Sequence, residues 1–186
     1  MNRTELYNRE LIKAMNWLSQ QPNTLFVGQA VRYAGTGMFN SLIDIADEQK
    51  LEFPITENFQ MGYCTGLALN GYVPIAIYPR WNFLLCAADQ IVNHLDKLHS
   101  MSSGKVDPKV IIRVAVGTEI PVDPQDQHRG NFAQAFANMC QHINIVELKH
   151  SDDIVDAYKY AYTRKGSTIL VEFPDYGKTE NTNNWR

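Results

Sequence analysis

The sequence predicts an α/β protein: a mostly parallel sheet held between two helical layers, in a three-layer α/β/α arrangement. Three observations predict it. Short, continuously apolar runs such as Thr24–Gly28, Val73–Tyr78 and 168–173 recur along the chain, as expected for strands buried on both faces. Longer segments with apolar residues at helical spacing lie between them. The two kinds of segment alternate from end to end, which is the pattern of a parallel sheet covered on both sides.

Each element has its own signal. Thr4 is placed to cap a first helix carrying Leu6, Leu11, Ile12, Met15 and Leu18, closed by Pro22 and Asn23. Thr24–Gly28 reads as a strand, and residues 30–40, with Gly35 and Gly37, as a loop. A short helix over 41–50 and a strand over 51–55 are expected next. The segment 57–70 reads as a helix whose face of Gly62, Thr65, Gly66 and Ala68 is small enough for close backbone approach. Strand Val73–Tyr78 precedes a long helix over 83–98 and a strand over 110–116. Residues 117–130 form a polar loop with three acidic residues, two prolines and His128. A helix over 132–140, a strand over 143–148, a helix over 152–164 and a strand over 168–173 complete the pattern. The polar tail 175–186 is expected to fray.

Bulk properties narrow the function. A chain of 186 residues suits one domain, read here as 1–186. A formal net charge of -3, with scattered lysines and arginines, argues against nucleic acid as a partner. Cys64, Cys86 and Cys140 are widely spaced and set in apolar sequence, which fits reduced core thiols and a cytoplasmic protein. No stretch approaches the roughly 18 apolar residues of a membrane span, and the N-terminus reads as an amphipathic helix rather than a secretory leader.

Ligands of parallel sheets bind beyond the carboxyl ends of the strands, which directs attention to the loops after Gly28, Ile55, Tyr78 and Val116. The run Pro54-Ile55-Thr56-Glu57 stands in one of them. It is followed by Gly62, Gly66 and Gly71, by Trp81-Asn82-Phe83, by Asp89-Gln90-Ile91-Val92-Asn93, by Met101-Ser102-Ser103-Gly104 and by Gln127-His128, and is preceded by Gly28-Gln29-Ala30-Val31. In order and spacing these resemble the motifs of the β subunits of pyruvate and branched-chain 2-oxo acid dehydrogenases, and hence the pyrimidine-binding domain of transketolase-like thiamine diphosphate enzymes.

The resemblance implies roles. Glu57 would be the carboxyl group bonded to the cofactor's aminopyrimidine, favouring the imino form that removes a proton from the thiazolium carbon. A glutamate suits that exchange because its proton affinity responds to its surroundings. By position alone Glu57 reads as an ordinary acid in the first turn of a helix; the ordered motifs around it give it the cofactor role. Phe83 would stack on the aminopyrimidine, with Ile55 and Gln29 beside the cofactor. By itself a phenylalanine is more often core. His128 would be the second catalytic group, moving protons or holding the substrate; otherwise it is a surface loop histidine. Asp123 and Asp126 near it form no defensible metal-ligand set. His94, His99, His142 and His150 receive no function.

Two departures and two absences qualify the resemblance. Gln29 stands where the family has an acid, and Arg129 where it has a small hydroxyl residue. Arg129 could clamp an anionic substrate or face water. The glycine-aspartate-glycine signature with a downstream asparagine, which holds Mg2+ and diphosphate in the superfamily, does not occur in the sequence, and a C-terminal transketolase-type domain is expected to be absent. The expectation is therefore a split enzyme. This chain binds the pyrimidine, a separate diphosphate-binding subunit carries Mg2+, and the assembly is a heterotetramer acting on a 2-oxo acid. A transketolase-type two-carbon transfer and a non-catalytic dimerisation or regulatory module are the alternatives. The sequence does not name the substrate, the acceptor or the partner.

Overall fold

Strand side chains alternate between two faces, so the apolar runs feed two separate cores. In the computed structural model, which describes residues 3–34, 36–117 and 125–174, the strands are β1 (Thr24–Gly28), β2 (Lys50–Glu52), β3 (Val73–Tyr78), β4 (Ile111–Ala115), β5 (Asn144–Leu148) and β6 (Thr168–Glu172). They pair in the order β2-β1-β3-β4-β6-β5, and all pairings are parallel. Val27, Ala76, Tyr78, Ile112, Val114 and Val171 face one core, closed by helices α3 (Glu57–Leu69), α4 (Trp81–Leu85) and α6 (Ala133–Met139). Phe26, Ile75, Ile77, Ile111 and Leu170 face the other, closed by α1 (Arg3–Ser19) and α7 (Ile154–Thr163). Two short helices, α2 (Gly37–Asn40) and α5 (Leu98–Met101), lie in the connections. The three-layer architecture is the one expected.

Several local expectations change. Thr4 lies inside α1, which already includes Arg3. The helix expected over 41–50 is reduced to a 3-10 turn at Asp47–Gln49. Ser41 there turns its hydroxyl back onto the Met38 carbonyl, and Lys50 folds onto Asp47. Such local side-chain bonds compete with helix continuation. The strand that follows is Lys50–Glu52, shorter than expected: after Phe53, whose N–H still donates to the Gly28 carbonyl, the chain turns away through Pro54 toward the next helix. The long helix over 83–98 is divided into α4, a π-helical stretch Gln90–Leu95 and α5. Cys64 and Cys140 are buried thiols as expected, but Cys86 is exposed. The tail 175–186 and Asp123 lie outside the described residues.

The second core also holds charge. Arg113, which is fully buried, donates from both Nε and Nη2 to the Glu172 carboxylate, and the Tyr158 hydroxyl donates to the same group at 2.6 Å. Burial and Glu172 together push the Tyr158 phenol well up. The pair ties β4, β6 and α7 together with directional bonds that offset much of the cost of burying both ions, although Arg113 Nη1 is left without a partner.

Candidate functional site

The strand order decides where a crevice opens. The chain leaves β1 toward β2 on one side and leaves β3 toward β4 on the other, so neighbouring loops diverge at the carboxyl ends of β1 and β3. A sheet of this kind binds its ligand at such a reversal.

The turn after β1 is built to a demanding geometry. Gly28 packs so tightly against β3 that an added Cβ would stand 2.5 Å from the Ile77 carbonyl oxygen. Ala30 adopts a φ of 56°, a left-handed conformation costly for a residue with a side chain. Glu52, at the end of β2, offsets it by accepting the N–H groups of Ala30, Val31 and Arg32 at 2.7, 2.8 and 2.9 Å. This carboxylate cradled by successive amides escapes sequence reading; an acid ending a short strand is its only signal.

So held, Gln29 reaches Glu57. Its Nε2 donates to Glu57 Oε1 at 3.2 Å. Glu57 is the first residue of α3, half-buried, and its main-chain carbonyl accepts the Tyr78 hydroxyl at 3.1 Å. Burial pushes the Tyr78 phenol well above its ordinary value, so it acts as a donor. Glu57 Oε2 makes no hydrogen bond with a described residue. One turn on, Gln60 is fully buried and donates to the carbonyls of Val27 and Ile77 at 3.3 and 3.0 Å. It pins α3 across the reversal itself. A glutamine in phase with Met61 and Cys64 on the buried side of the helix was the available sequence signal.

The second half of the site comes from the loops after β3 and β4. Phe83, on α4, and His128, in a 3-10 turn at Gln125–His128, bring their rings to a centroid distance of 5.3 Å. Gly117 lets the loop after β4 fold back on its own start: a Cβ there would stand 1.7 Å from the His128 carbonyl oxygen. The Nδ1 of His128 is buried without a hydrogen-bond partner, as are Nη1 of Arg80, Nε1 of Trp81 and Oδ1 of Asn82. The structure thus gathers the sequence candidates as two pairs, Gln29 with Glu57 and Phe83 with His128. Arg129 is half-buried beside His128 in the chain. Ile55 is 82% exposed and Phe59 63% exposed, so this chain alone does not enclose Glu57 in apolar surroundings. Phe59 instead joins Phe53 and Tyr63 in an aromatic cluster on the outer face of α3.

Comparison with known proteins bears on this arrangement. The chain is 30% identical over 119 residues to the mitochondrial pyruvate dehydrogenase E1 β subunit of Ascaris suum, a match covering 64% of this chain and 32% of that one. The proteins it is similar to in sequence include β subunits of 2-oxo acid dehydrogenases. Among them the 3-methyl-2-oxobutanoate dehydrogenase β subunit of Mycobacterium tuberculosis is 32% identical over 111 residues, or 58% of this chain and 31% of the relative. The match therefore spans about a third of the length of these β subunits. No family model matches the chain. A solved split-gene transketolase, described as an inactive β4 tetramer, superimposes with a TM-score of 0.64 at 18% identity, over 91% of this chain and 50% of that one. That likeness shows the transketolase-like fold.

Proposed function

We propose that this chain supplies the pyrimidine-binding half of a thiamine diphosphate site, completed by a separate subunit that holds the diphosphate and Mg2+, in an enzyme acting on 2-oxo acids. The observation that carries the reading is the Gln29–Glu57 contact at the reversal point of the sheet. It holds one carboxyl oxygen and leaves Oε2 available to a ring nitrogen, so the residues present fit the cofactor's aminopyrimidine. When bound, thiamine diphosphate supplies the nucleophilic carbon and electron sink needed to break a bond beside a carbonyl.

The chain's own residues do the rest. Glu57 holds and returns a proton at its carboxyl group. Gln29 limits the rotation of that carboxyl, and Gln60 and Tyr78 keep the start of α3 in place. Phe83 offers an aromatic face and His128 a proton carrier at the substrate. Ile55, projecting from the loop before α3, would complete its apolar wall when covered. The aromatic cluster of Phe53, Phe59 and Tyr63 supports a partner chain on that side, since exposed apolar clusters mark interaction surfaces. The heterotetramer follows from that arrangement if this chain also self-associates.

The test is to co-purify the chain with its partner and measure cofactor binding by calorimetry and turnover on a panel of 2-oxo acids and ketose phosphates. Glu57→Gln is expected to lower turnover by about 10²–10⁴-fold, the usual contribution of a general acid–base group; an unchanged rate overturns the assignment. Turnover of ketose phosphates alone would point to two-carbon transfer. A complete lack of cofactor binding, with and without the partner, would make the chain a non-catalytic dimerisation or regulatory module.

A further inference from the structure

Arg80 stands just beyond β3, immediately before Trp81, and is half-buried. A guanidinium is always charged and carries five N–H donors with no acceptor of its own. The Arg80 side chain nonetheless makes no hydrogen bond or ion pair with any described residue, and its Nη1 is buried. Two further polar atoms nearby in the chain fold are orphaned in the same way, Asn82 Oδ1 on α4 and His128 Nδ1 on the turn that packs against α4. These groups do not satisfy one another, although they are carried by two segments in contact. A buried charged donor without an acceptor is costlier than a neutral one, and the described chain offers no acidic side chain to relieve it.

We infer that Arg80 is the specificity residue of this site, receiving the anionic group of the substrate, a carboxylate or a phosphate, beside Asn82 and His128. Arginine presents a planar fork that matches either group in two parallel bonds. His128 can donate to the same anion, and the acceptor of Asn82 is left for a hydroxyl on the ligand. A simple 2-oxo acid offers the carboxylate, whereas a ketose phosphate offers both the phosphate and the hydroxyls. The inference rests on the thiamine reading for its place in a reaction, but its binding test does not.

The test uses the 186-residue chain and the indole N–H resonance of Trp81, a residue adjoining Arg80 whose Nε1 makes no hydrogen bond in the structure. Pyruvate, 2-oxoisovalerate, xylulose 5-phosphate and inorganic phosphate are titrated in turn, with chloride matching the ionic strength. At least one of these anions is expected to shift the resonance saturably. Arg80→Gln should weaken that binding by about tenfold or more, the usual loss of a charge-assisted bond, with Arg80→Lys in between and neither variant melting below the wild-type chain. The class of anion that binds separates the carboxylate from the phosphate source. No saturable shift in the wild-type chain overturns the inference. So does unchanged binding in Arg80→Gln, or an effect of that variant on partner association alone. Anion binding by a chain that never binds cofactor would keep the Arg80 site and remove the thiamine reading; cofactor binding without an anion response would do the reverse.

Discussion

Gln29 and Glu57, 28 positions apart in sequence, meet at 3.2 Å through an amide N–H and a carboxylate oxygen. The contact depends on three unlike devices: the close β1–β3 approach at Gly28, the Glu52 carboxylate that stabilises the turn at Ala30, and Gln60 anchoring α3. An acid at position 29 would place two carboxyl groups in this contact. The glutamine makes it attractive instead.

Replacing Gln29 tests that contact directly. Gln29→Ala removes one hydrogen bond to a charged group, worth about 1.5–3 kcal/mol at most and less here because the site is part-exposed. Cofactor affinity, measured by calorimetry with the partner present, is expected to fall about threefold to tenfold. Gln29→Glu should weaken it further at neutral pH, where like charges repel, and recover toward the Gln29→Ala level on acidification. Equal affinities for all three proteins would show that Gln29 does not orient Glu57.

Gly117 should tolerate no side chain. In Gly117→Ala the new Cβ would lie 1.7 Å from the His128 carbonyl oxygen and 2.7 Å from the carbonyl carbon, both backbone atoms that cannot rotate away. A loss of about 1–3 kcal/mol in denaturant unfolding is expected, together with altered ring shifts for Phe83 and His128 as their contact opens. Wild-type stability with unchanged shifts would contradict the packing.

Asp96 supplies a pH signature far from the site. Its side chain is fully buried and accepts the N–H groups of Gln141, His142 and Ile143 at 2.9, 2.8 and 3.2 Å, with Lys97 at 3.2 Å. Burial alone would push the carboxyl up, but the backbone donors and Lys97 outweigh it and hold it below the ordinary value. A depressed folded value means that the stabilisation is fully present above the unfolded value, about pH 4, and is lost as pH falls through the folded one. Asp96→Ala strands three backbone donors and is expected to cost about 3 kcal/mol or more. It should also flatten the acid limb of the stability profile; an acid limb identical to wild type would assign that pH dependence to other groups.

By itself the sequence determined the class of fold, because continuous apolar strands alternating with amphipathic helices admit few arrangements, and it marked Glu57, Phe83 and His128, because their motifs recur in order. It did not determine the lengths of elements such as 41–50, where Ser41 and Lys50 satisfy local bonds instead of continuing a helix. Nor could it disclose Glu52, Gln60 or Arg80, whose residue types are ordinary and whose importance lies in partners far along the chain or in the lack of them. Those were decided only by the tertiary structure. The strand order brings the ends of β1 and β3 together, and a hydrogen bond or an orphaned charge exists only once the groups that could meet it have been placed in space.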